Sequence, residues 1–200
     1  MNTPHAHLVD DDEAIRDALS WLLKSRGIPC LTYDCAESFL AAWSNKMTGC
    51  VVLDMRMSGM SGHDCFDQLR ERESRLPVIF LTGHGDVPLA VSTLKKGAFD
   101  FFEKPFNDND LATRVQEALD HDARQRAENA TVDSVKSRLS SLTTRERQVM
   151  EMVLAGKFNK VIADELNISM RTVEVHRANL FEKMQVKTAV ELANLLKSGR

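Results

Sequence analysis

The sequence predicts two domains: a doubly wound α/β domain on a five-stranded parallel sheet, then a small all-α domain with a helix-turn-helix. Three observations carry this. Apolar runs of strand length alternate with amphipathic helical stretches five times through roughly the first 120 residues, the pattern of a parallel sheet with helices on both faces. Beyond about residue 140 only helical periodicity remains. The charge also changes sign along the chain. Residues 1–122 carry 12 Lys/Arg against 20 Asp/Glu, net −8, whereas residues 141–200 carry 10 against 7, net +3. An acidic front and a mildly basic back suggest domains with different partners.

Composition bounds the rest. An apolar content of 43% and a charged content of 28% are those of an ordinary globular chain. No stretch approaches the ~18 apolar residues of a membrane helix. The start, Met1-Asn2-Thr3-Pro4-His5, lacks the basic and apolar regions of a signal peptide, so a cytoplasmic protein without a membrane partner is expected. Cys30, Cys35, Cys50 and Cys65 form no CxxC pair and no zinc spacing, which points to reduced thiols. The six histidines are scattered and receive no metal.

In chain order, His7 to Val9 is a short strand that runs into Asp10-Asp11-Asp12-Glu13. Ile15, Ala18, Leu19, Leu22 and Leu23 then share a helical stripe that ends at Gly27. Pro29 to Tyr33 reads as a second strand and Ser38 to Trp43 lies in a second helix. Cys50 to Leu53 is a third strand, ending in Asp54, with a helix from Gly62 to Arg72. Pro77 to Leu81 is a fourth strand, followed by a helix from Val87 to Lys96 closed by Gly97. Phe99 to Glu103 is the fifth, and the next helix starts near Asn107 with Leu111, Val115, Ala118 and Leu119 inward.

Open parallel sheets bind ligands beyond the carboxyl ends of their strands. That edge gathers Asp10 and Asp11 from strand one, Asp54 from strand three, Thr82 from strand four and Lys104 from strand five. Acidic residues at a helix start are favoured by the macrodipole alone, which is the plain alternative for Asp10 to Glu13. The joint placement of five such groups favours a site. Three converging carboxylates repel unless a cation sits among them, and an all-oxygen set suits magnesium. With the Lys104 ammonium and the Thr82 hydroxyl, the set can accept a phosphoryl group on a carboxylate.

These residues resemble a bacterial two-component receiver domain over residues 5–120. The matching motifs are Val9-Asp10-Asp11, Asp54 at a strand end, Met60-Ser61-Gly62, Leu81-Thr82-Gly83-His84-Gly85-Asp86 and Phe102-Glu103-Lys104-Pro105-Phe106, the last two being similar to the FixJ subfamily. The resemblance implies a flavodoxin-like sheet and phosphorylation of Asp54 by a sensor histidine kinase. It implies Mg2+ on Asp11, Asp54 and the Arg56 carbonyl, with Asp10 in the same pocket or reaching the ion through water. It makes Thr82 the switch hydroxyl, Lys104 the phosphoryl contact, Phe101 the switch aromatic and the Lys104-Pro105 bond cis. Ser58 departs from the family, which usually has proline there; serine leaves φ free where proline would fix it.

Residues 123–140 are mostly polar and read as a linker, either a solvated tether or a helix that orients the domains. In residues 141–200, Thr143-Thr144-Arg145-Glu146 forms a capping box before a helix carrying Val149, Met150, Val153 and Leu154. A short helix from Lys160 to Leu166, a turn capped by Ser169 and a helix from Met170 to Met184 make a helix-turn-helix candidate. In the third helix Val173, Leu180 and Met184 face inward, while Arg171, Val175, Ala178 and Glu182 face outward. A last helix covers Thr188 to Leu196.

This segment resembles the LuxR/FixJ/NarL-type DNA-binding domain, through Leu142 to Glu146, Arg171 to Arg177 and Lys183-Met184. The resemblance puts Glu174, Val175 and Ala178 near base edges, and Lys160, Thr172, Arg177 and Lys183 near phosphates; helical spacing places Arg177 nearer the buried face. The implied function is a response regulator transcription factor that forms a homodimer when phosphorylated and binds double-stranded promoter DNA, with RNA polymerase a further candidate partner. A magnesium-dependent phosphotransferase is the competing reading. Such enzymes carry a second carboxylate two residues after the nucleophile, where this chain has Arg56.

Overall fold

The computed structural model describes residues 3–83 and 87–198, with side chains omitted at 87–90 and 198. His84, Gly85 and Asp86 of the strand-four motif lie outside the described residues. The chain divides into two compact units, Met1–Gln125 and Arg126–Arg200.

The first unit alternates β1 (His5–Val9), α1 (Glu13–Ser25), β2 (Cys30–Tyr33), α2 (Ala36–Ala42), β3 (Gly49–Asp54), α3 (Gly62–Glu71), β4 (Val78–Thr82), α4 (Val87–Lys95) and β5 (Asp100–Glu103), and enters α5 (Asp108–Ser140). The strands are parallel in the order β2-β1-β3-β4-β5. The winding direction reverses between β1 and β3, which places a crevice at their carboxyl ends.

The central strands are buried on both faces, so they read as unbroken apolar runs rather than alternating ones. Leu8, Cys50, Val52, Ile79 and Leu81 pack against Leu19 and Leu23 of α1 and Leu111 and Val115 of α5. Val51, Leu53, Val78 and Phe80 pack the other way, against Phe39 of α2 and Cys65, Phe66 and Leu69 of α3. Every residue of β3 is buried, Asp54 included.

Helix ends are set locally. Asp12 caps α1 by accepting from the Ala14 and Ile15 amides, and Gly27 (φ 74°) follows its end. Helix α2 begins earlier than Ser38, because the Cys35 thiol caps it by accepting from the Ser38 amide. Ser61 caps α3 through the Asp64 amide.

Helix α5 spans the polar 123–140 segment. Its first part holds Asp122, which is buried and accepts from the Gly49 amide at 2.9 Å. Its last turns belong to the second unit. Val135 is buried, Leu139 packs on the second core, and the Arg138 guanidinium donates to the Met184 carbonyl at 2.9 Å.

The second unit continues with α6 (Thr144–Leu154), α7 (Asn159–Leu166), α8 (Met170–Met184) and α9 (Ala189–Ser198). Its core comprises Leu142, Val149, Val153, Ile162, Val173, Leu180, Met184 and Leu192, among others. The Thr143–Glu146 capping box is formed in both directions, Asn167 (φ 53°) turns the chain out of α7, and Ser169 caps α8. Among the described residues, no helix is long and apolar enough to cross a membrane.

Gly62 couples the fold to the crevice. A Cβ there would lie 2.1 Å from the Asp54 carbonyl oxygen and 3.2 Å from Leu53 Cγ. Only a hydrogen fits, so α3 can start directly behind Asp54. Gly62→Ala is expected to destabilise the first unit by about 1–3 kcal/mol through this overlap, as measured by urea unfolding. An unchanged midpoint would contradict the packing.

Candidate functional site

The crevice is built from four strand ends. Asp10 follows β1, Asp54 ends β3 and Lys104 follows β5, while Thr82 ends β4. Main-chain bonds hold the loops in place: the Met55 amide donates to the Leu81 carbonyl at 2.8 Å, and the Lys104 amide to the Thr82 carbonyl at 2.8 Å. The Lys104-Pro105 bond is cis.

Lys104 Nζ donates to Asp54 Oδ1 at 2.6 Å and to Asp10 Oδ2 at 3.0 Å, so one ammonium bridges two buried carboxylates. The second Asp54 oxygen accepts from the Arg56 amide at 3.0 Å. Asp10 is oriented by the Asp12 amide, 2.9 Å from its Oδ1, and its carbonyl accepts from Arg16 Nη1 at 2.8 Å. Asp11 is exposed and turns toward the loop after β3, where the Ser58 amide and hydroxyl donate to its Oδ2 at 2.7 and 2.9 Å. One oxygen from each of Asp10, Asp11 and Asp54 lies within 4.8 Å of the others.

Thr82 is fully buried, and its Oγ1 has no hydrogen-bond partner among the described residues. A buried hydroxyl left unmatched costs about 1–3 kcal/mol. Such a group is an acceptor-seeking donor on the strand beside Asp54. Phe101 is half-buried, paired in register with Phe80 and packed on the α2–α3 side of the sheet.

The electrostatics follow from this layout. Burial pushes the Asp54 carboxyl above its ordinary value, the neighbouring Asp10 charge adds to the rise, and the Lys104 ammonium opposes both. Lys104 loses hydration, yet its bonds to Asp54 and Asp10 outweigh that loss and raise its pKa. The two Ser58 donors hold Asp11 below the usual carboxylate range. The pocket is therefore net negative with one resident cation, and its oxygen set fits a hard divalent ion such as magnesium.

The structure therefore brings together Asp10, Asp11, Asp54, Lys104 and the Arg56 main chain, with Thr82 one strand away. Two supporting contacts were not anticipated. Arg16 sits one helical turn beyond Asp12, a spacing that could have suggested it. Ser58 stood out only as an anomaly, since nothing in the sequence shows which way its hydroxyl points.

In the second unit, Arg171, Glu174, Val175 and Ala178 are exposed on α8, and Lys160 is exposed on α7. The remaining three candidates make structural contacts. Thr172 is half-buried at the start of α8, its amide donating to Ser169 Oγ at 3.1 Å. Arg177 donates to Asn159 Oδ1 at 3.0 Å and lies over the Phe181 ring, in keeping with its place near the buried face. Lys183 donates to Glu146 at 2.7 Å and to the Ser141 carbonyl at 3.3 Å, tying the end of α8 to the capping box. Phe158 is 81% exposed, and with Lys157, Asn159, Lys160 and Arg177 it lines one depression.

The raised Asp54 carboxyl yields a stability prediction. Its folded-state pKa lies above that of the unfolded chain. The ionised form therefore costs stability at neutral pH, and the cost is relieved as the pH falls through the raised value. In metal-free buffer at pH 7, Asp54→Asn is therefore expected to be more stable than the native chain. Urea unfolding as a function of pH should show this gain shrinking as the pH falls through the raised folded-state value and gone by about pH 4, the ordinary carboxylate range. A variant that is no more stable at pH 7 would contradict the assignment.

Comparison with known proteins agrees with this architecture. Residues 6–116 match the response regulator receiver domain, and residues 140–196 match the bacterial regulatory proteins of the luxR family. The transcriptional regulatory protein FixJ of Bradyrhizobium diazoefficiens is 44% identical over 191 residues, covering 96% of this chain and 93% of that protein. The C4-dicarboxylate transport transcriptional regulatory protein DctR of Rhodobacter capsulatus is 47% identical over 94% of this chain and 97% of its own. Among solved structures, the response regulator StyR superposes with a TM-score of 0.94 at 40% identity, covering 98% of this chain and 99% of that one. Full-length FixJ from B. japonicum gives 0.62 at 42% identity, covering 100% and 98%. These relatives are transcriptional regulators rather than turnover enzymes, which sets aside the phosphotransferase reading. The chain belongs to the two-component response regulators of the FixJ type, with a receiver domain followed by a LuxR-type DNA-binding domain.

Proposed function

We propose that a sensor histidine kinase phosphorylates this protein on Asp54 in the cytoplasm, and that phosphorylation drives homodimerisation and sequence-specific binding to promoter DNA. The observation that carries the reading is the buried Thr82 hydroxyl without a partner among the described residues, one strand from a carboxylate already paired with Lys104.

In the transfer, the phosphorus–nitrogen bond of the kinase phosphohistidine breaks and a bond from phosphorus to an Asp54 carboxylate oxygen forms. Asp11, Asp54 and the Arg56 carbonyl would hold Mg2+, with Asp10 reaching it through water. When bound, the ion offsets carboxylate charge and orients a phosphoryl oxygen. Lys104, 2.6 Å from Asp54, is placed to pair with a phosphoryl oxygen once Asp54 carries the acyl phosphate. Thr82 then gains an acceptor and moves toward the new group, and Phe101 turns inward behind it. The surface from Val87 to Glu103 repacks and becomes the dimer contact.

Dimerisation places two copies of α8 on adjacent half-sites. Glu174, Val175 and Ala178 face base edges, and Arg171 and Lys160 are free to reach DNA at the surface. Thr172, Arg177 and Lys183 would have to share or exchange their present partners to contact phosphates. The domains are read as residues 1–122 and 141–200, joined by the 123–140 segment, and RNA polymerase is the further partner of the DNA-bound dimer.

Incubation with magnesium and acetyl phosphate tests this. Light scattering should show dimer formation, and affinity for promoter DNA selected from genomic fragments should rise by at least about fivefold. Asp54→Asn should do neither. Equal DNA affinity before and after treatment would remove the phosphoryl switch.

A further inference from the structure

Ser58 stands where receiver domains usually carry proline, and it donates twice to one oxygen of Asp11: the amide at 2.7 Å and the hydroxyl at 2.9 Å. Proline has neither an amide hydrogen nor a hydroxyl, so the usual residue can make neither bond. The loop that carries Ser58 is anchored independently of Asp11. The Gly62 amide closes it onto the Met55 carbonyl at 3.1 Å, and the Met60 amide donates to Glu37 Oε1 at 3.0 Å. Gly59, in the left-handed region at φ 81°, turns the backbone between these points. The two Ser58 donors are thus presented to Asp11 by a loop fastened on both sides.

Asp11 needs such a hold more than its neighbours do. Asp10 and Asp54 are buried and share the Lys104 ammonium, whereas Asp11 is exposed. Like charge from the other two carboxylates would push an unrestrained Asp11 away from the pocket. With both Ser58 bonds in place, an oxygen of Asp11 stays within 4.8 Å of those of Asp10 and Asp54.

We propose that Ser58 is a positioning residue for the divalent cation. By donating twice to Asp11, it keeps that carboxylate turned toward Asp54 and so tightens magnesium binding relative to a chain with proline or alanine at position 58. The proposal rests on the reading of the pocket as the magnesium site. Donors that orient a ligating carboxylate typically change metal affinity by about 10–100-fold when removed. Exposure of Asp11 to water places the Ser58 effect at or below the lower end of that range.

Isothermal titration of the full chain with magnesium chloride, in the absence of phosphodonor, tests it. Ser58→Ala, which retains the amide donor, should bind about threefold more weakly. Ser58→Pro, which loses both donors, should bind about tenfold more weakly. Ser58→Thr, which restores the hydroxyl, should stay within about twofold of the native chain. The threonine rescue separates positioning from a general loosening of the loop, and the alanine variant decides the matter if circular dichroism shows that proline disturbs the fold. Native-like or tighter binding by Ser58→Ala, or a threonine variant as weak as alanine, would overturn the proposal while leaving the magnesium site standing. A native chain that binds no better than Asp11→Asn would overturn the magnesium reading, and this proposal with it.

Discussion

Lys104 bridges Asp54 and Asp10, and much of the first unit can be understood as the means of holding that bridge in a half-dry crevice. Each carboxylate on its own would be an expensive group to leave at the end of a buried strand. Sharing one ammonium reduces the cost without removing it: burial still holds the Asp54 carboxyl above its ordinary range. The pocket is therefore stable enough to fold and too negative to be electrostatically satisfied. That residual imbalance is what makes it receptive to a hard cation and, on the reading proposed, to a phosphoryl group. The same close packing that costs stability at Asp54 fixes its position, since α3 starts so near its main chain that a Cβ at Gly62 would overlap the Asp54 carbonyl oxygen.

Much of this was legible in the sequence because the central strands are buried on both faces. Cys50 to Leu53 and Val78 to Leu81 are unbroken apolar runs, and a charged or hydroxyl residue at the end of such a run marks the sheet edge by itself. Glycine and capping residues marked several of the helix ends, and the Thr143–Glu146 box formed as its spacing predicts. What could not be read were contacts made across loops. The bonds from Ser58 to Asp11 depend on how the chain turns at Gly59 and on where Glu37 catches Met60, neither of which leaves a periodic trace.

The segment 123–140 shows a different limit. Its polar composition hides Val135, which lies one helical turn before Leu139 and is buried. One apolar residue among polar ones carries little weight in a composition count, yet Val135 is buried, and Arg138 and Leu139 tie the last turns of α5 into the second unit. In that unit, Lys183 was read as a phosphate contact from resemblance alone. It is held by Glu146, whose carboxyl loses hydration on burial but is brought below its usual range by the bonds from Lys183 and Thr143. A basic residue on α8 thus serves the fold, and only the geometry distinguishes that role from an open surface charge.

Chemical trapping shows whether this constellation makes Asp54 the phosphoryl acceptor. After treatment with acetyl phosphate and magnesium, borohydride converts an aspartyl phosphate to homoserine, which peptide mass mapping locates. One modified residue is expected, at position 54, and its loss when Lys104 is replaced by alanine. Homoserine at Asp10 or Asp11, or an unmodified chain under conditions where magnesium binds, would contradict it.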